Sequence, residues 1–466
     1  MQGNQELGTQ PVGRLLLKYS IPGVVAMLVS AIYNVLDRVF IGKFAGEDSL
    51  AGLTVAFPVM MLTFAFAGLI GVGGSALIAI RFGERNQRGA ERVFGNTVSM
   101  TFGLGILVAV LTIVCRSPIR RMVGAEGSSL APILRMFGAE ESILAPARDF
   151  LFIILLALPF QYLTFTLSAI VRTEGKPKLS MAAMITSVLV NLVLATVLVA
   201  WLRLGVRGAA AATAIGQVCG LLVLMPHYLG GKSLLKPHRA DWIPDLRLLG
   251  SICAIGSSSF LGQLGVAVSA GILTNSLITH GGAAAVTAMG AINSLFTLFI
   301  MPIFGIQQGL GPIVGYNHGA GKPERAQRTL YLATGAAVAV ASVVFLLLEI
   351  FPSAFMSLFI APDSTTMPVA VKGLRIYVMT LPIVGINLMG SAFFQSVAKA
   401  RVAIFLGMSR QFVFLIPAVL LLSGLFGLTG TWLATPVADA LSVVFTVYFL
   451  LRHFRQTKAA VVAVAE

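Results

Sequence analysis

The residues best placed to do chemistry are three charged side chains inside long apolar stretches. Asp37 lies in SAIYNVLDRVFIGKF, Arg410 in SRQFVFLIP and Asp439 in LATPVADAL. A charge at the centre of a membrane helix costs about 2.5–3.5 kcal/mol on insertion scales, so such residues are rare and mark ion or substrate pathways. The three residues therefore indicate transport or ion coupling.

Asp37 has two interpretations. As an isolated carboxylate it would take up a proton on one side of a membrane and release it on the other, since only its protonated form is neutral. The alternative is a static ion pair with Arg38 or Lys43. Adjacent helix positions point in different directions, so Arg38 is expected to turn away and the coupling interpretation is favoured.

Arg410 and Asp439 are predicted to lie in neighbouring antiparallel spans. At about 1.5 Å per residue, both fall roughly 12–18 Å from the same membrane face. Pairing would remove two isolated charges at once, which favours a structural ion pair. A second coupling site is the alternative.

The other polar residues within apolar stretches are uncharged. Most such side chains form interhelical hydrogen bonds, and a minority line cavities. The cavity candidates are Tyr33, Asn34, Gln217, Gln263, Asn275 and Asn293. The three cysteines show no metal-ligand spacing, and the five histidines lie near loops or helix ends, without a nucleophile–base arrangement. Neither an enzyme, a metal site nor a cofactor is expected.

Twelve apolar segments position these side chains. The chain has 466 residues, of which 57% are hydrophobic and only 11% charged, against roughly 25% charged in soluble domains. A span needs about 20 apolar residues. We therefore expect an all-α integral membrane protein of about 12 transmembrane helices. The predicted spans are 15–42, 50–80, 93–114, 150–171, 179–202, 208–229, 249–278, 285–316, 329–350, 373–396, 402–423 and 428–451.

Basic residues concentrate in alternate loops. The net charge of +15 is thus explained by the positive-inside rule rather than by nucleic-acid binding. The same rule predicts a multi-pass protein of the cell (inner) membrane with both termini in the cytoplasm.

Two repeats are visible. Arg121–Leu134 is followed at once by a near copy, Arg135–Arg148, which we interpret as a duplication in a permissive outer loop.

A larger repeat aligns RFGERNQRGAER (Arg81–Arg92) with NHGAGKPERAQR (Asn317–Arg328), and TEGKPK (Thr173–Lys178) with VAKAR (Val397–Arg401). Two pseudo-symmetric six-helix lobes around a central cavity suit alternating access. The expected divisions are an N-terminal lobe (1–228), a cytoplasmic linker (229–248), a C-terminal lobe (249–451) and a tail (452–466).

Three motifs carry a family resemblance. Met301–Arg328, Tyr33–Gly46 and Ser409–Pro417 resemble the multidrug and toxic compound extrusion (MATE) family. The resemblance implies two lobes in a V shape and antiport of amphipathic, often cationic, drugs against inward protons or sodium ions. It also implies that Asp37 is the coupling acid of span one and Pro22 the hinge of that helix. Asn191 and Thr213 would belong to a polar cluster of the N-terminal lobe.

Two departures from the family pattern favour protons over sodium. Ala195 stands where the family often has an acid, and spans seven and ten hold no acid. We therefore expect export of small organic compounds driven by a proton gradient, with sodium coupling as the alternative. A lipid-linked sugar flippase of the related superfamily is a further alternative, but it would need about fourteen spans and several cavity arginines; a channel or scaffold ranks lower. The expected partners are organic substrates, protons or Na⁺, and the lipid bilayer, and the functional unit is expected to be a monomer.

Overall fold

The computed structural model describes the backbone of residues 2–44, 47–116 and 141–465, and its regular elements in these ranges are helical. Side chains within them lie outside the description at 2–5, 34–44, 47–52, 54–55, 115–116, 141–142 and 459–465. Residues 121–140 of the duplicated segment are likewise outside it. The α-helices are α1 (Gln2–Thr9), α2 (Val12–Phe44), α3 (Glu47–Gly83), α4 (Gln87–Arg116), α5 (Glu141–Thr173), α6 (Pro177–Ala195), α7 (Gly205–Leu229), α8 (Leu246–Gly319), α9 (Pro323–Ile350), α10 (Pro352–Met356), α11 (Met367–Val378), α12 (Leu381–Ser396), α13 (Ala400–Met408) and α14 (Ile416–Ala465).

The helices described make twelve membrane spans. Nine are long and apolar enough to cross a membrane, and the bent pair α11–α12, at 45°, makes a tenth. Two of the nine are too long for one crossing, because 74 and 59 residues would extend roughly 110 and 90 Å against a hydrocarbon core of about 30 Å. Each contains a glycine with non-helical backbone, Gly282 (φ 61°) in α8 and Gly427 (φ 57°) in α14. These glycines divide the long helices into two spans each, which agrees with the predicted fold class.

Four tight turns between helices share one backbone conformation. Their central residues, Arg85, Gly175, Gly321 and Ala398, have φ of 58°, 88°, 67° and 54°. In each turn the central N–H bonds to the carbonyl three residues back, and the next N–H bonds to the carbonyl five residues back. This is the Schellman motif that ends a helix. The same turn thus recurs at the positions that the large sequence repeat aligns.

The chain forms two compact units. The first contains Met1–Gln5, Leu28–Arg81 and Asn86–Cys253, and the second contains Glu6–Met27, Phe82–Arg85 and Ala254–Glu466. Each has its own apolar core, with Tyr162 and Leu158 among the buried residues of the first and Trp432 and Phe393 among those of the second. The linker predicted at 229–248 groups with the first unit. The predicted lobe boundaries stay a prediction.

The start of α2 packs within the second unit through close helix contact. A Cβ added at Gly305 would lie 2.5 Å from the main chain of Val24, so the two helices approach as closely as only glycine allows. The end of α1 is fastened to the same unit. Asn317 Nδ2 donates to Leu7 O at 3.0 Å and Lys322 Nζ to Gly8 O at 3.0 Å, which satisfies carbonyls that a helix end leaves free.

Candidate functional site

The acid predicted to couple transport lies in α2. Asp37 and its neighbour Asn34 are within the helical backbone, but their side chains are outside the described residues. Tyr33 is half-buried, and Pro22 is buried inside α2, which continues through it. The roles assigned to these four residues stay predictions.

Asn191 and Thr213 are in direct contact between α6 and α7. Asn191 Nδ2 donates to Thr213 Oγ1 at 2.9 Å, and Thr213 Oγ1 donates in turn to Ala209 O at 3.1 Å. The helices meet closely here, because a Cβ at Gly216 would lie 2.6 Å from the carbonyl oxygen of Ser187. The structure therefore brings together the two uncharged members of the predicted cluster.

One atom of this cluster has no partner among the described residues. Asn191 is only 3% exposed, yet its Oδ1 accepts no hydrogen bond. A buried acceptor without a donor costs about 1–3 kcal/mol, and such exceptions in native proteins call for an explanation such as an unseen water or ion. Ala195, one turn further on, is buried and offers no oxygen ligand from its side chain.

The remaining cavity candidates do not form a cluster of hydrogen bonds. Gln217 and Gln263 are half-buried, whereas Asn275 and Asn293 are exposed on the second unit. Within the described part of the chain, none of these four side chains makes a hydrogen bond. They stay candidates only.

Arg410 and Asp439 form an ion pair in the second unit. Arg410 Nε donates to Asp439 Oδ1 at 2.5 Å, and Thr380 Oγ1 donates to Asp439 Oδ2 at 3.1 Å. Asp439 is 3% exposed, while the Arg410 side chain is 22% exposed. The structure therefore adds Thr380, which sequence reasoning missed because it sits in the break between α11 and α12 rather than in a charged pattern.

A buried carboxylate also escaped the sequence reasoning. Glu174, in the turn after α5, accepts His227 Nε2 at 2.5 Å and Ser233 Oγ at 2.5 Å. It also accepts the backbone N–H groups of Leu234 and Leu235, at 3.0 and 3.3 Å. These contacts fasten the start of the segment after α7 to the turn between α5 and α6. The repeat offered a signal for His227, since a histidine followed by an aromatic residue lies at the end of the sixth predicted span and just after the twelfth.

The other end of that segment is held by a second carboxylate. Arg88 donates to both oxygens of Asp241, at 2.6 and 2.9 Å, and His238 N donates to Oδ2 at 2.7 Å. Burial raises the pKa of Asp241, but the His238 hydrogen bond and the Arg88 guanidinium outweigh it, so the pKa lies below its ordinary value. Among the described residues, no group of His, Cys, Asp and Glu has an arrangement that could hold a metal ion.

Comparisons with known proteins agree on one family. A sequence model of the MatE family matches residues 22–132, 129–197 and 263–421. The chain is 25% identical over 454 residues to the multidrug export protein MepA of Staphylococcus haemolyticus strain JCSC1435, covering 97% of this chain and 96% of that protein.

Solved structures show the same architecture. The structure of the MATE multidrug transporter DinF-BH shares 33% sequence identity, with a TM-score of 0.87 over 97% of this chain and 98% of that one. An outward-facing multidrug resistance MATE family transporter of the MOP superfamily reaches a TM-score of 0.88 at 23% identity, over 98% and 99% of the two chains. The chain belongs to the MatE family of multidrug and toxic compound extrusion (MATE) efflux transporters, which are membrane transport proteins and not enzymes.

Proposed function

We propose that the protein is a secondary active antiporter that exports small amphipathic, cationic organic compounds in exchange for inward protons. Asp37 is the coupling carboxylate, and Asn191 and Thr213 form the polar cluster of the same unit. The observation that carries this proposal is the buried Oδ1 of Asn191, which has no hydrogen-bond partner among the described residues, because a buried acceptor calls for a donor or an ion.

Protons fit this cluster better than sodium ions. A hard metal cation collects several oxygen ligands, but the described cluster offers only the Asn191 and Thr213 oxygens, and Ala195 contributes none. A proton needs a single carboxylate, which Asp37 supplies. Protonation of that carboxylate would remove an isolated charge from an apolar helix, and its release on the other side would reset the transporter.

The orientation proposed is that of a cell-membrane exporter with both termini in the cytoplasm. The basic turns after α3, α5, α8 and α12 would then face the cytoplasm, as the positive-inside rule requires. The transporter is proposed to work as a monomer.

Transport in proteoliposomes tests the coupling. We expect an imposed pH gradient to drive uptake of a lipophilic fluorescent cation by the wild type and not by Asp37→Asn, whereas a sodium gradient alone drives little. Asp363→Asn is the matched control, because Asp363 is exposed and lies outside the helices. Normal proton-driven transport by Asp37→Asn would overturn the proposal.

A further inference from the structure

The ion pair with Asp439 uses few of the hydrogen-bond donors of Arg410. Only Nε of the guanidinium donates a hydrogen bond, to Asp439, and within the described residues the two terminal nitrogens have no partner. They are also not sealed off, since neither is among the buried polar atoms that lack partners. Four N–H donors of a permanent cation are therefore without a partner among the described residues, on a side chain that is 22% exposed.

The pair lies deep in the membrane. Arg410 is ten residues after the start of α13, or roughly 15 Å along the helix, which is half of a hydrocarbon core of about 30 Å. Charges at this depth face a protein interior or a water-filled cavity rather than lipid. The exposed side of Arg410 is therefore expected to border a space that polar molecules can enter.

Three irregular pieces of backbone converge on the pair. Arg410 belongs to a π-helical segment, Ser409–Leu415. Thr380 sits in the 45° break between α11 and α12 and gives its hydroxyl to Asp439 instead of capping α12. Asp439 follows Pro436, which lies inside α14. Segments of π-helix are frequent at functional sites, and broken membrane helices typically line transporter binding sites.

A purely structural ion pair does not account for these features. A pair that only stabilised the fold would be expected to use every hydrogen-bond donor, because each unpaired polar group inside a membrane costs several kcal/mol. Instead, each oxygen of Asp439 accepts one hydrogen bond, from Arg410 or Thr380, which holds the guanidinium in place, while the planar end of Arg410 has no partner among the described residues. That end matches the two oxygens of a carboxylate.

We propose that Arg410 is a ligand-binding residue for the carboxylate of an amphipathic transported compound, with Asp439 and Thr380 as its positioning residues. This inference rests on the proposed export function, because the ligand is taken to be a transported compound. The compounds concerned are zwitterions, whose cationic part would be bound by other residues.

A matched pair of probes tests the proposal without any ion gradient. A rhodamine ethyl ester and the corresponding rhodamine carboxylic acid share one dye cation and differ only in the carboxyl group. Binding of both to the purified full-length protein in detergent is measured for the wild type, for Arg410→Gln/Asp439→Asn, which removes both charges, and for Arg410→Lys, which keeps the charge but loses the planar fork.

The Kd for the acid is expected to rise at least tenfold in the double variant and several-fold in Arg410→Lys, while the Kd for the ester stays within twofold. Retained ester binding shows that each variant is folded. If the double variant does not fold, the acid-to-ester ratio of Arg410→Lys decides alone.

Three results would overturn the proposal: no binding of the acid by the wild type, equal losses for acid and ester in a variant whose thermal unfolding matches that of the wild type, or unchanged acid binding in the folded variants. The export function is judged separately, since Asp37→Asn is tested by gradient-driven transport of the ester. Failure of one experiment leaves the other interpretable.

Discussion

The turn between α5 and α6 and the turn between α12 and α13 have the same backbone conformation but hold different parts of the chain. Each is a Schellman turn followed by a lysine whose ammonium donates to the Nδ1 of a histidine: Lys176 to His227 at 3.1 Å, and Lys399 to His453 at 2.8 Å. The residue before the central position is Glu174 in the first turn and Val397 in the second.

The difference between Glu174 and Val397 changes what the turn holds. Glu174 collects a histidine, a serine and two backbone N–H groups of the segment after α7. In the second turn Val397 is buried, and His453 packs against Phe393 and Phe394 with ring centroids 5.6 and 5.7 Å apart. One carboxylate thus converts a repeated turn into an anchor for the segment after α7, which belongs to the first unit.

The largest expected effect comes from removing that carboxylate. Glu174→Ala leaves several buried donors without an acceptor, and hydrogen bonds to a charged group contribute about 1.5–3 kcal/mol each. We expect the segment after α7 to lose at least about 2 kcal/mol of local stability. Hydrogen exchange at the amides of Leu234 and Leu235 measures this directly.

The matched control is Glu84→Ala, because Glu84 occupies the same turn position but is exposed. Glu84→Ala is expected to leave the exchange of both leucine amides unchanged. Undiminished protection in Glu174→Ala would mean that the turn, and not its carboxylate, holds the segment.

A smaller effect is expected from pH at the far end of the same segment. Because the pKa of Asp241 lies below its ordinary value, its contribution to stability is complete above that ordinary value and is lost as the pH falls towards the lowered one. Exchange of the His238 amide, corrected for its intrinsic rate, should therefore accelerate in acid. Asp241→Asn should remove this dependence, and a dependence that persists in Asp241→Asn would assign it to another group.

The smallest effect exchanges the central residues of the two turns. Gly175 adopts φ 88° without strain, whereas Ala398 adopts φ 54°, a conformation that costs a non-glycine residue about 1 kcal/mol. Gly175→Ala should lower the melting temperature, Ala398→Gly should raise it, and the double variant should lie near the wild type. Gly335→Ala is the control, because Gly335 lies inside α9 and a Cβ there meets no atom within 4 Å. It adds the same methyl group without backbone strain and should raise the melting temperature; a similar rise in Gly175→Ala would remove backbone strain as the cause.

Periodicity and charge placement predicted most of the scaffold. Both glycine breaks fall in gaps between predicted spans, since long apolar runs interrupted by glycine are visible in the letters alone. Arg410 and Asp439 were paired by depth, and the structure puts them in contact. The roles predicted for Asp37 and Asn34 are not tested, because their side chains lie outside the described residues.

What the sequence could not supply are contacts between distant loops and local changes of helix type. Glu174 and His227 are 53 residues apart, and the sequence around neither residue indicates that the two side chains meet. Two segments are π-helical, Thr196–Trp201 and Ser409–Leu415. They cannot be recognised from hydrophobic periodicity at 3.6 residues per turn. Thr380 contacts Asp439 from the break between α11 and α12, which the apolar pattern of the predicted span 373–396 does not reveal.

The attachment of α1 has a consequence for biosynthesis. Leu7 is bonded by Asn317, 310 positions later in the chain. At about 5–20 residues per second, the ribosome needs roughly 15–60 s to make that partner. The end of α1 therefore lacks this partner until residue 317 has been made, and a chain cut short before that point would leave the segment exposed to proteolysis.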